Sequence, residues 1–200
     1  MPEPLRERQK SRRREALEGA ALQLFRSQGL HDTTVAQIAG RAGLAKGTFF
    51  NYFDSKHDVL AQRLGRLAEG FLALADGEST EPPLLRLAAF FTGAEALFRA
   101  EGPSILTLYR EVFLRPDLMK LDEAVERRIH DYYRAVLTDG VREGHIRSGL
   151  DLAAAATVII DLWSSTLRAW ILEGCGFSLA EAVERKLSLL FTGLRNRHPH

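Results

Sequence analysis

The sequence predicts an all-α protein in two parts, a small N-terminal three-helix domain and a larger C-terminal helical one. Apolar residues recur at helical spacing through most segments. Gly and Pro punctuate those segments at about the length of a helix. Strand-like alternation of apolar and polar residues is absent. Composition agrees, because 200 residues with 46% hydrophobic content can bury a substantial core. The expected divisions are a basic arm over residues 1–13, a first domain over 14–57 and a second over 58–200.

The arm carries Arg6, Arg8, Lys10, Arg12, Arg13 and Arg14 against Glu3 and Glu7, a net charge of +4 over residues 1–14. It has no apolar run, so it reads neither as a signal peptide nor as a membrane span. Two readings stay open, a mobile arm that adds phosphate contacts and a solvated leader. A first helix over about 14–27 follows, with Leu17, Ala20, Ala21, Leu24 and Phe25 on one face and Gly29 beyond its end. A second helix starts at Thr34, which forms a capping box with Gln37. Val35, Ile38, Ala39 and Ala42 give it an apolar face. Gly43 sits where a left-handed stop is wanted, and Leu44 plugs the turn. A third helix is expected over about 45–52. Phe49 and Phe53, four apart, would face the core, leaving Lys46, Gly47, Phe50 and Asn51 opposite, with Thr48 and Tyr52 at the margins.

Two short helices joined by a tight Gly turn match the helix-turn-helix unit, whose second helix lies in the DNA major groove. Plain packing would not need Lys, Thr, Asn and Tyr on one exposed face beside two buried phenyl rings. Charge is placed accordingly. Residues 1–60 hold 10 Lys and Arg against 7 Asp and Glu, whereas residues 61–200 hold 17 against 19. The net charge of +1 therefore conceals a basic N-terminal part.

The stretch over 33–56 resembles the DNA-binding domain of the TetR family of transcriptional regulators. The matching residues are Thr33–Thr34, Ile38–Ala39, Ala42–Gly43, Lys46–Gly47–Thr48, Asn51–Tyr52–Phe53 and Ser55–Lys56. It is strong over about residues 14–62 and architectural beyond. Position by position, it implies that Lys46, Gly47, Phe50 and Asn51 approach base edges. Thr48, Tyr52 and Lys56 would hold phosphates, and Thr34 would grip one from the start of its helix. Ala45 stands where such proteins often carry Ser, which removes a cap worth about 1 kcal/mol. Phe50 stands where Tyr is common.

Helices are expected next from about residue 56 or 58 to 75, capped by Ser55, and from Pro82–Pro83 to the break at Gly102–Pro103, with a stripe of Leu84, Leu85, Leu87, Ala88, Phe91, Ala94 and Phe98. A short one over 105–113 and a long one over about 117–142 follow. Asp151 caps another reaching Leu172, and Ser178 with Glu181 starts the last, to about Leu194. The helix over 152–172 is apolar on more than one face, which asks for burial on more than one side. The resemblance implies a homodimer through the last two helices, with Ile159, Trp163, Val183, Leu187, Leu190 and Leu194 at the contact. A two-fold pair would set its reading helices about 34–36 Å apart on a palindromic double-stranded DNA operator. The alternative is that both helices only fill a monomer core. The resemblance also implies a small-molecule effector of unknown identity, largely apolar, held among the middle helices. Candidate contacts are Phe91, Glu95, Phe98, Leu106, Tyr109, Arg110, Phe113, Tyr133 and Trp163. For each aromatic, plain core packing is the competing explanation, and Glu95 and Arg110 also read as surface or ion-paired groups.

No catalytic or metal-binding motif occurs, so the chain reads as no enzyme and no cofactor is implied. The single cysteine, Cys175, excludes an internal disulfide and suits the cytoplasm. No segment is read as a membrane span and no membrane partner is expected. The favoured function is a dimeric, ligand-responsive repressor. The alternative is a DNA-binding protein without a small-molecule switch.

Overall fold

The computed structural model describes residues 5–77, 79–102, 109 and 123–193. Leu106, Arg110, Phe113 and Leu194, and the side chain of Leu190, lie outside the described residues. The described elements are helical throughout: α1 (Leu5–Gln28), α2 (Val35–Arg41), α3 (Lys46–Phe49), α4 (Lys56–Ala75), α5 (Pro83–Ala100), α6 (Glu123–Arg142), α7 (Leu152–Leu172) and α8 (Leu179–Gly193). The chain divides into two compact units, one over residues 1–66 with 103–121 and the other over 67–102 with 122–200.

In the first unit α1 begins at Leu5, so the arm read as mobile or solvated is helical from that residue. Its Arg, Glu, Gln and Lys side chains favour helix. Residues 5–16 are all exposed, so packing does not hold those turns. Further along, Leu17, Ala20, Ala21, Leu24 and Phe25 pack with Leu30, Ile38, Ala39, Phe49, Phe53, Val59 and Leu60 into one apolar core. Val59 and Leu60 belong to α4, and their burial carries the boundary of this unit past residue 57. Among these apolar groups lies a carboxylate, Glu18, only 4% exposed. Arg66 donates to it, Arg63 lies 3.5 Å away and Arg14 3.8 Å. A buried acid needs this compensation, and here the compensation joins α1 to α4.

In the second unit α6 packs on α5 and α7, and α8 packs on α5 and α7. Its core contains Leu87, Phe90, Phe91, Ala94, Phe98, Tyr133, Val136, Ile159, Leu167, Trp170, Val183 and Leu187. The buried face of α5 runs from Pro83 to Leu87 and onward, and Leu84 and Leu85 of the expected stripe are exposed. Asp151 caps α7 by accepting from the Ala153 and Ala154 N–H groups at 3.1 and 3.0 Å. For α8, Ser178 Oγ accepts from Glu181 N at 3.3 Å, while Glu95 of α5 accepts from Ala180 N at 2.8 Å. Glu95 also pairs with Arg99 and accepts from the Ser178 hydroxyl. Burial opposes its ionisation, yet the Ala180 N–H, the Arg99 guanidinium and the Ser178 hydroxyl hold the carboxyl below the usual glutamate range.

Among the described residues α7 is the one helix long and apolar enough, by length and composition, to cross a bilayer. Ala156, Ile159, Leu167 and Trp170 on one of its faces lie in the protein core.

Candidate nucleic-acid interface

The local chemistry that builds the helix-turn-helix is visible atom by atom. Thr34 Oγ1 accepts from Gln37 N at 3.2 Å, and Gln37 Oε1 accepts from Thr34 N at 2.8 Å, closing the capping box. Gly43 takes φ +68°, which a side chain rarely adopts, and Leu44 N donates to Ala39 O at 2.9 Å across the turn. Leu44, Val35 and Ala42 are partly buried against the core.

Helix α3 is shorter than the expected span of 45–52. Four residues are α-helical, and the chain continues to Tyr52 in turns closed by Asn51 N to Thr48 O and Tyr52 N to Phe49 O. Ala45 offers no side-chain cap, and the tighter three-residue bonds take over after Phe49. Phe49 and Phe53 are fully buried behind this segment, their ring centroids 5.4 Å apart.

The opposite side is open. Lys46, Gly47, Phe50 and Asn51 are exposed, Phe50 by 50%, and Thr48 and Tyr52 are half-buried at the margins. A Cβ added at Gly47 would meet nothing within 4 Å, so no neighbour in this chain demands glycine there. Thr34 is exposed, but its hydroxyl already donates to Gln37 Oε1 at 3.0 Å within the cap. Tyr52 packs against the core through its ring and accepts from Gln62 Nε2 through its carbonyl at 3.4 Å.

Lys56 requires a correction. Its ammonium donates to the carbonyls of Leu30, His31 and Thr33 at 2.7, 2.8 and 2.9 Å. An ammonium has three protons, and all three are engaged in tying α4 to the loop before α2. The residue read as a phosphate contact is an internal clamp. Ser55 and Asp58 do start α4, through Asp58 N to Ser55 Oγ at 3.2 Å and Asp54 N to Asp58 Oδ2 at 3.1 Å.

In the second unit four of the expected effector contacts come together. Trp163 stacks on Phe91 and Phe98 with centroids 5.4 and 5.9 Å apart, and Phe91 meets Tyr133 at 6.0 Å. Phe90 and Tyr132, unmarked in the sequence reading, complete the cluster. Tyr133 is 1% exposed and its hydroxyl has no hydrogen-bond partner among the described residues. Burial, reinforced by Tyr132, pushes its pKa well above the ordinary tyrosine value. Glu95 pairs with Arg99 and caps α8, which agrees with its reading as an ion-paired group rather than an effector contact. Tyr109 is half-buried, outside this unit. Of the residues expected at a dimer contact, Ile159, Val183 and Leu187 are buried in their own chain, and the half-buried Trp163 also stacks in the aromatic cluster. Among the described residues the exposed large apolar side chains of α7 and α8 are Val158, Leu172 and Leu189. Helical periodicity finds the apolar faces but does not say which of them the chain itself covers.

Among the described residues no group of three His, Cys, Asp or Glu is placed to hold a metal ion. The family model described as "Bacterial regulatory proteins, tetR family" matches residues 19–62, the segment that builds the helix-turn-helix. The HTH-type transcriptional repressor KstR2 of Rhodococcus jostii (strain RHA1) is 29% identical over 198 residues, covering 94% of this chain and 94% of the relative. The fatty acid metabolism regulator protein of Bacillus subtilis (strain 168) is 24% identical over 181 residues, covering 89% and 93%. Thermus thermophilus FadR, a transcriptional repressor solved with lauroyl-CoA, is 29% identical with a TM-score of 0.57, covering 93% and 97%. With its capped helix pair, its open polar face and these relatives, the chain belongs to the TetR family of bacterial regulatory proteins, and it is a helix-turn-helix DNA-binding transcriptional regulator rather than an enzyme.

Proposed function

We propose that the protein is a cytoplasmic homodimeric repressor that holds a palindromic operator and is released by a small, largely apolar effector. The observation that carries the DNA side is the exposed face of Lys46, Gly47, Phe50 and Asn51 over the buried Phe49 and Phe53. Lys46 and Asn51 are the side chains suited to base edges, pairing with guanine and adenine respectively. The open space at Gly47 suits close approach of backbone to the duplex. Thr48 and Tyr52 at the margins suit phosphates.

The aromatic cluster around Tyr133 and Trp163 supports the effector side, since such sites are mostly apolar with few polar groups. The lauroyl-CoA complex of the Thermus relative makes a fatty acyl thioester the first class to test. Binding of DNA and effector would be reciprocally linked, each lowering affinity for the other by one factor.

Selection of genomic fragments by the purified protein supplies the operator. Fluorescence anisotropy of that duplex is then followed with lauroyl-CoA, free CoA and lauric acid. Release by lauroyl-CoA and not by free CoA is expected. If no acyl compound releases DNA or raises the melting temperature, the effector reading is lost and a regulator without a small-molecule switch remains.

A further inference from the structure

We propose that two copies of the chain pair through the outward face of α7 about a two-fold axis passing near Ser164 and Ser165, so that Asp161 meets Arg168 of the partner subunit, twice over. This rests on the homodimer reading above and adds which residues meet.

Helix α7 holds 21 residues, and Asp161 and Arg168 are its only charged ones. Both are exposed, and neither makes a hydrogen bond or ion pair among the described residues. They lie on a continuous exposed stripe of Ala154, Val158, Asp161, Ser165, Arg168 and Leu172. The alternating steps of four and three keep that stripe within one narrow face of a helix. Val158 is 38% exposed and Leu172 76%. The opposite face, with Ala156, Ile159, Leu167 and Trp170, is in the core. A merely solvated face looks different in this protein: α6 exposes Glu126, Arg127, Arg128, Asp131 and Arg134. The α7 stripe is small and apolar with one acid and one base.

Their spacing selects the register. In a two-fold antiparallel helix pair, a residue a given distance before the centre faces the residue the same distance after it. Asp161 and Arg168 lie seven residues apart, about 10.5 Å along the axis and nearly in line. A centre at Ser164 and Ser165 is equidistant from both, so the two ion pairs form together. Val158 then falls beside Leu172 of the partner subunit, and the two serines allow the backbones to approach closely. Covering an apolar stripe would strand Asp161 without a counter-charge in most other registers, and an unpaired buried charge is strongly unfavourable. Opposite charges placed this way fix alignment as well as affinity.

The test is sedimentation of the full chain and of Asp161→Arg, Arg168→Asp and the double variant. The wild type should be a dimer. Each single substitution sets like charges opposite each other and should weaken the dimer by roughly thirtyfold or more. The double variant should recover affinity to within about threefold, because the pair is re-formed with its signs exchanged. Both positions are exposed, so helical circular dichroism should be unchanged. The neutral variants Asp161→Asn and Arg168→Gln should weaken the dimer in the same direction if a charge reversal perturbs the helix. A dimeric wild type whose single variants stay equally dimeric, or a double variant that stays dissociated, overturns this register and leaves the homodimer standing. A monomeric wild type overturns both.

Discussion

Replacing Lys56 by Met removes one ammonium group and keeps the aliphatic stem. The three carbonyls it serves, those of Leu30, His31 and Thr33, lie 2.7, 2.8 and 2.9 Å away in the loop that delivers the chain to α2. Hydrogen bonds to charged groups contribute about 1.5–3 kcal/mol each. The loop is at the surface, so water replaces part of what is lost, and Leu30 O also accepts from Thr33 N at 3.3 Å. The expected loss is therefore about 3 kcal/mol, below the full sum for three such bonds. At an m-value of about 2 kcal/mol/M the urea midpoint of the transition should fall by about 1.5 M. At a temperature where the variant is fully folded, operator affinity should change by less than about threefold. The slope of log affinity against log salt should also stay put, because one phosphate contact contributes about 0.9 to it. An unchanged urea midpoint together with a slope reduced by about 0.9 would refute the clamp and restore Lys56 as a phosphate contact.

The Asn51 side chain is exposed and makes no hydrogen bond among the described residues, so Asn51→Ala should leave the melting temperature within about 1 °C and alter preference among operator variants by roughly tenfold; unchanged ranking of a duplex library would remove its base-reading role. Tyr133→Phe deletes a buried hydroxyl that has no partner among the described residues and should stabilise the protein by about 1 kcal/mol in urea titration, whereas destabilisation would show that the hydroxyl has an acceptor. The Glu95 carboxyl titrates below its unfolded value of about 4.3, so its contribution is present above that pH and is lost as pH falls through the lower folded value. Glu95→Gln should flatten the acid limb of the stability curve below about pH 5, and an identical limb would deny the carboxylate that role. Leu187→Asp should unfold the chain by several kcal/mol rather than split a dimer, because Leu187 is 4% exposed in its own subunit; a folded monomer would return Leu187 to the subunit contact.

What the sequence made readable was local. The Thr34 and Gln37 capping box, the stop at Gly43 and the Phe49 and Phe53 pair depend on residues within four positions of one another, and all stand as read. The misreadings involve partners far along the chain. Lys56 meets carbonyls 23 to 26 residues earlier, so its role has no sequence signature. The ion pair of Glu95 with Arg99, four residues on, was within reach of sequence reasoning, whereas its capping of α8 at residue 180 was not. The apolar periodicity of α7 and α8 was evident, yet Val183 and Leu187 turned inward while Val158, Leu172 and Leu189 stayed outside. Length was misjudged at α3, where hydrogen bonding tightens after Phe49 without a breaker in the sequence.

The start of α8 is completed by a side chain 85 positions upstream. That places an order on how the chain acquires its shape. A peptide covering α8 alone has Ser178 but lacks the acid that gathers its first amides, so it should be poorly helical by itself. During synthesis the N-terminal residues emerge first, and α5 is therefore free of the ribosome well before Ala180 appears. The acceptor waits for the donor. A circular permutant that makes α8 before α5 would reverse this sequence of events, and its refolding should slow relative to the natural order even if the final structure is the same.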